Sequence, residues 1–234
     1  MIFGKLGPNI CYRVQEHVLL PLEFVTDLGV TIDRELKFNH HVASIVSRAN
    51  KSLGMILRVS KHFKDPSTYF LLYNAYVRSI LEYACIIWHS DRYSTHIKVL
   101  ERVQKKFLRY VYFRVHGQYP HYKTCPVRTS DMLKEFELTT LLERRQTADC
   151  IFLFKLLNGK VNSPELLREL TFNAKLRSTR NKNLFITQFS KSKLFQCSVL
   201  QRLMSTFNSL SHSLPVDPFS MSHEQFKKII SSRE

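Results

Sequence analysis

The stretch DPSTYFLLYNAYVRSILEYACIIW (65–88) decides the fold class. Asp65 followed by Pro66 is a helix start. An aspartate side chain accepts from the first backbone N–H groups, and proline fits the first helical position because its missing N–H has no partner to lose there. Beyond it, apolar residues recur at helical spacing on two sides. Tyr69, Leu72, Tyr73, Tyr76, Ile80 and Ile87 lie on one, and Phe70, Val77, Leu81, Cys85 and Trp88 on the other. Only Asn74, Arg78 and Glu82, four residues apart, make a polar strip. The pattern predicts one helix running to about Trp88, apolar nearly all round and therefore central and buried. In the strip the base precedes the acid, the weaker order for an exposed pair. Arg78 and Glu82 are therefore expected to meet partners on neighbouring segments.

Working outward, Val42, Ile45, Val46, Ala49, Leu53, Ile56 and Leu57 keep a 3.6-residue period and predict the preceding helix. A following helix, about 95–115, carries Ile97, Leu100, Val103, Phe107, Leu108, Val111 and Val115 on one face and Lys98, Arg102, Lys105 and Arg109 on the other. Residues 116–129 read as irregular. Thr140 to Glu143 is a capping box opening a helix that stops at Asn158-Gly159. Ser163-Pro164 opens a short helix, residues 172–189 a loop or weak strand, and Ser190 a helix to about Leu210. Ser222 to Gln225 is a second capping box. Ahead of all this, residues 10–20 are β-rich and Phe24 to Ile32 alternates as a strand would. The expectation is a mainly α chain, a helical bundle with a small N-terminal β segment.

The chain has 234 residues, 35 Lys plus Arg and 19 Asp plus Glu, a formal net charge of +16. That excess points to a polyanionic partner, nucleic acid first. The acids are also unevenly spread. None occurs between Lys37 and Lys64, from Arg102 to Ser130, or from Leu170 to Val216, and these gaps hold six, seven and seven Lys or Arg. No apolar run approaches the ~18 residues of a membrane span, so no membrane partner is expected. The N-terminus lacks the basic start and apolar stretch of a signal peptide. The five cysteines include no CxxC, and Cys85 and Cys150 sit in apolar runs. They read as core residues of an intracellular chain, cytoplasmic or nuclear.

Catalytic signatures are missing. The chain has no phosphate-binding glycine loop, no GxSxG and no HExxH, and no two acids are adjacent. His116, His121 and Cys125 lie close together but match no zinc-finger spacing, and no metal site is expected. The basic stripe Lys98, Arg102, Lys105 and Arg109, flanked by Lys106 and Arg114, suits the phosphate backbone, as does the segment with Lys175, Arg177, Arg180 and Lys182. Tyr110, Tyr112 and Phe113 interleave with Arg109 and Arg114, where they pack inward or stack on bases.

Several blocks together resemble non-LTR retrotransposon polyproteins of the jockey type, in the segment after the reverse transcriptase catalytic core. They are DLGVTIDRELKFNHHV (27–42), RANKSLGMILR (48–58), LLYNAYVRSILEYACIIW (71–88), LERVQKKFLRYV (100–111), LLERRQTADCIFLFKLLNGKVNSPELL (141–167) and RSTRNKNLF (177–185). The resemblance implies the C-terminal part of an RNA-directed DNA polymerase. Residues 1–36 would be the palm-end β remnant, 37–116 a thumb-like helical bundle and 117–234 a C-terminal helical extension. The implied partners are RNA and DNA as template–primer duplex, and the palm and fingers of the parent polymerase. The family enzyme uses Mg in its palm, held by an Asp-Asp motif. This chain contains no Asp-Asp, and its first Met falls after the point where that motif is expected. The resemblance therefore implies no catalytic residues and no cofactor in this chain. Two other readings stay open: an all-α protein-interaction module with a basic face, and a truncated element remnant with no selected function.

Overall fold

A computed structural model describes residues 12–19, 22–63, 65–120, 126–173, 183–214 and 217–231. The chain is mainly helical, and among the described residues the strands lie in two small N-terminal hairpins. Strands β1 (Tyr12–Val14) and β2 (His17–Leu19) pair antiparallel, as do β3 (Phe24–Asp27) and β4 (Val30–Asp33). The alternating run at 24–32 is thus a hairpin rather than one strand. Asp27 pairs with Val30, leaving Leu28 and Gly29 as a two-residue turn with φ of +46° and +81°. Two positive φ values in succession match the twist of paired strands. A Cβ on Gly29 would sit 3.6 Å from the Tyr83 ring, an ordinary contact. Its φ, not crowding, is what favours glycine there.

Helix α1 (Asn39–Val59) buries Val42, Ile45, Ala49, Leu53 and Ile56, the face its periodicity marks. Helix α2 (Pro66–Tyr73) starts as expected, with Asp65 accepting from the Ser67 N–H at 2.9 Å. The expected single helix to Trp88 does not form. A π-helical turn, Asn74–Arg78, leads into α3 (Ser79–Glu82); the chain then breaks at Tyr83 and Ala84 and resumes as α4 (Cys85–Trp88). Ala84 takes φ +49°, and the carbonyl of Tyr83 accepts from the Trp88 indole N–H at 2.8 Å. The Tyr83 hydroxyl donates to the Leu28 carbonyl at 3.0 Å, tying the break to the β3–β4 turn. Nor is this stretch buried all round. Tyr69, Tyr73, Val77, Leu81, Cys85 and Trp88 face inward, while Leu71, Tyr76, Tyr83 and Ile87 are exposed. A π turn adds a residue per turn, so the two apolar sides read from a strict 3.6 period do not map onto two buried faces.

Helix α5 (Ser94–His116) ends at Gly117, whose φ of +72° closes it. It buries Leu100, Val103, Phe107, Leu108 and Val111, with the Phe107 ring stacked on Tyr73 at 4.1 Å. An unanticipated helix, α6 (Thr129–Glu135), packs on it. Helix α7 (Leu141–Leu157) opens with the Thr140–Glu143 capping box complete in both directions. Helices α8 (Pro164–Arg168), α9 (Lys193–Gln196), α10 (Val199–Ser213) and α11 (His223–Ser231) follow. Here too one expectation is corrected. Ser190 caps only a short turn, its Oγ accepting from the Ser192 N–H, and the long helix starts later, at Val199. The capping box before α11 forms, with Ser222 and Gln225 bonded both ways.

Two apolar cores result. The first joins β4 and α1 to α5, and includes Leu141. The second gathers α7, α10, α11 and the Phe172–Phe185 bridge. Helix α7 serves both, giving Leu141 to one and Cys150, Leu153, Phe154 and Leu156 to the other.

Candidate nucleic-acid interface

On α5, Lys98, Arg102, Lys105 and Lys106 are exposed and Arg109 is half-buried. At about 100° per residue, Lys98, Arg102, Lys105 and Arg109 fall within one ~60° arc, with Lys106 at its edge. Their outward position follows from the other side of the helix, where Leu100, Val103 and Phe107 are locked into the core. Among the described residues no carboxylate pairs with these four lysines and arginines. Glu101, the one acid between 98 and 114, is turned away from them. Its Oε1 accepts from the Leu142 N–H at 2.8 Å, at the start of α7. There burial raises its carboxyl pKa, opposed by the backbone N–H groups and Arg145. The acid that would have neutralised the stripe caps a neighbouring helix instead.

The remaining predicted residues behave differently. Arg109 donates Nη2 to the Pro120 carbonyl at 3.1 Å and lies over the Tyr119 ring, 5.6 Å from its centroid. Arg114 stands about 140° round the helix from Arg109. It donates to the Phe63 carbonyl at 3.2 Å and sits over the Tyr69 ring. The structure thus does not bring Arg114 onto the stripe. Lys175, Arg177, Arg180 and Lys182 lie outside the described residues, as do His121 and Cys125. His116 is bonded to Glu135 at 2.5 Å.

The aromatics divide as well. Tyr110 packs inward, edge-on to Tyr69, with its hydroxyl 3.2 Å from Ser60 Oγ. Phe113 and Tyr119 are exposed beside each other, their centroids 6.2 Å apart. With Arg109 over Tyr119, they form a cationic aromatic corner at the end of the stripe.

One centre had no sequence signal. Arg145 and Asp149 on α7, Arg202 on α10 and His89 after α4 are all buried between the two cores. Arg145 Nε donates to His89 Nδ1 at 3.3 Å. Arg202 binds Asp149 and the carbonyls of Ile86 and His89. Beside them, Arg144 bridges to Glu82 at 2.5 Å, and Arg145 is fully buried. The expectation that Glu82 meets a partner on another segment is met by Arg144; Arg78 stays with Glu82 at 3.8 Å. Divalent metal chemistry needs several convergent carboxylates. Asp149, Glu82 and Glu101 are each held by protein donors, and among the described residues no three His, Cys, Asp or Glu side chains converge to hold an ion. No described helix is long and apolar enough to cross a membrane.

No family model and no solved structure matches the chain. Over 90 residues it is 34% identical to an uncharacterized protein of Caenorhabditis elegans, B0403.1, a match covering 38% of this chain and 44% of that protein. The chain therefore spans less than half the length of that relative.

Proposed function

We propose that this chain is a thumb-like, non-catalytic part of a non-LTR reverse transcriptase that grips RNA–DNA or DNA duplex through the α5 stripe. The observation that carries the reading is the exposed row Lys98, Arg102, Lys105 and Lys106, unpaired among the described residues, with Glu101 withdrawn onto α7. Such a row contacts phosphates without reading bases. The resemblance in blocks 27–42 through 177–185 supplies the polymerase context; the parent's Mg belongs to a palm carrying Asp-Asp. Primer extension on an RNA template with Mg²⁺ is accordingly expected to give nothing above a no-protein control, and extension by clean protein would remove the non-catalytic part of the reading.

The binding part is tested by salt. If about six phosphates are neutralised, log K should fall against log salt with a slope near about −5. Replacing Lys98, Arg102, Lys105 and Arg109 together with Gln should flatten the slope by about three to four units. Helicity should hold, because Gln is a good helix former. An unchanged slope in a folded quadruple variant would sink the reading, and a basic face for an acidic protein would replace it.

A further inference from the structure

Beside the start of α5 the fold leaves a cavity of about 250 Å³, walled by the Asp91–Arg92 loop, the 187–190 segment, α9 and α10. Drug-sized sites run from ~300 Å³ upward, so the space fits a smaller, single-ring or double-ring ligand. Its polar groups are already oriented. The Gln188 N–H holds Gln201 Oε1 at 3.1 Å, which leaves the Gln201 amide N–H groups without a partner among the described residues. Gln196 donates its amide to the Ser190 carbonyl, which leaves its own oxygen as an acceptor. The buried Arg202 forms part of the wall, its charge already met by Asp149. Asp91 adds an exposed carboxylate.

At the cavity stands Phe189, 89% exposed. A phenylalanine that open buries almost none of its ring, so it contributes little to the fold and presents a free aromatic face. With Asp91 beside Arg92 and Arg202 already paired to Asp149, the cavity has no net positive charge to hold a free phosphate inside it. A planar ring with donors and acceptors on its edge satisfies the whole set: face on Phe189, edge on the Gln201 donors, the Gln196 acceptor and Asp91. Carboxylates accept from exocyclic amino groups, as they do from cytosine N4. Arg92 at the rim remains for the phosphate that follows such a base. In sequence, the cavity residues Asp91 and Arg92 stand just ahead of Ser94, where α5 begins, and Lys98, the first cation of the stripe, follows one helical turn later.

We propose that this cavity takes one extruded, amino-bearing nucleobase of a single-stranded segment, stacked on Phe189, while the α5 stripe holds the backbone. This rests on the nucleic-acid reading of the stripe and adds to it a separate contact for single strands, with a preference for cytosine or adenine over uracil. Stacking on one aromatic is sequence-tolerant and accounts for about tenfold in affinity; the amino contact adds the preference.

The test uses the full chain with 12-nucleotide oligo(C), oligo(A) and oligo(U) RNA and an RNA–DNA hybrid, measured by fluorescence anisotropy. Phe189→Ala should weaken single-strand binding about tenfold and leave hybrid affinity and salt slope unchanged. Asp91→Asn should erase the margin of oligo(C) and oligo(A) over oligo(U). Equal single-strand affinity in Phe189→Ala and wild type would overturn the cavity while leaving the stripe intact. Should wild type bind no polymer at all, the stripe reading fails, and cytidine and uridine titrated by NMR then decide the cavity separately. Shifts confined to Phe189 and its neighbours, larger for cytidine, would uphold it; none would overturn it.

Discussion

Arg202 on α10 and Asp149 on α7 form a salt bridge sealed from water, with Nε 2.9 Å from Oδ2 and neither side chain more than 2% exposed. The same guanidinium donates to the carbonyls of Ile86 and His89, around the end of α4. One side chain thus holds α10, α7 and the end of α4 together, where the first core meets the second. Desolvation largely offsets the attraction within such a pair, but removing one partner leaves the other charge buried alone. Arg202→Met should therefore destabilise the chain by about 3–5 kcal/mol in urea unfolding. Adding Asp149→Leu should recover part of that loss, because the two losses are not independent. A double variant as costly as the sum of both singles would show that packing, not the ion pair, dominates this centre.

The histidine beside that pair gives stability a pH dependence. Burial, with the Arg145 and Arg202 charges near it, pushes the His89 pKa down to about 2. Below about pH 6.5 the unfolded chain takes up a proton that the folded chain refuses. The unfolded state then binds more protons, and stability is lost as pH falls through that window, by at most about 1.4 kcal/mol per pH unit. Burial lowers the pKa of His41 and His96 in the same sense. Asp149 acts oppositely: burial raises its carboxyl pKa, so its protonation favours the folded state as pH drops. His89→Asn keeps an acceptor for Arg145 but cannot titrate. Between pH 6.5 and 5 the wild type should lose about 1.7 kcal/mol more than this variant. Parallel losses in the two would refute the assignment.

How much of this was legible in the sequence depends on whether a signal is local. Asp65-Pro66, the Thr140 and Ser222 capping boxes and the apolar period of α1 act within a few residues of themselves, and all are present. The break at Ala84 was not legible, because nothing local demands it: it is held by Trp88 on the Tyr83 carbonyl and by Tyr83 on Leu28, 55 residues away. The hairpin turn at Leu28-Gly29 was readable in principle from Gly29, but the alternation around it masked the signal. On α5 the spacing located the outward row, yet gave no hint that Glu101 would leave it. Arg145, Asp149 and Arg202 look like ordinary surface charges until α10 packs beside α7.

The same geometry separates two basic residues that the sequence grouped. Lys106 is exposed at the edge of the stripe, whereas Arg114 is bound to the Phe63 carbonyl over the Tyr69 ring. Lys106→Gln should flatten the salt slope by about one unit and leave stability unchanged. Arg114→Gln should leave the slope unchanged and cost about 1 kcal/mol or a little more, as a charged hydrogen bond and a cation–π contact are lost. Anisotropy titrations and urea unfolding on both variants decide it, and a slope change in Arg114→Gln would place that residue back on the interface.

The two hairpins should differ in how firmly they are held. Every residue of β1 is exposed, and a lone two-stranded hairpin is marginal in water. By contrast β4 places Val30 at 2% exposure in the first core, and the Thr31 N–H donates to His41 Nδ1 at 3.2 Å. The Tyr83 hydroxyl pins the β3–β4 turn from outside. Local opening follows buried contact, so amide exchange should be graded. Residues 12–19 should exchange within a few seconds at neutral pH, 24–33 more slowly, and the inner turns of α1 and α5 last. Phe107→Ala, which removes the ring stacked on Tyr73 and should cost about 3–5 kcal/mol, should speed exchange in α1, α2 and α5 but leave 12–19 as it was. Protection at 12–19 equal to that of α1 would mean that β1 and β2 pack against something firm, and the graded anchoring would be wrong.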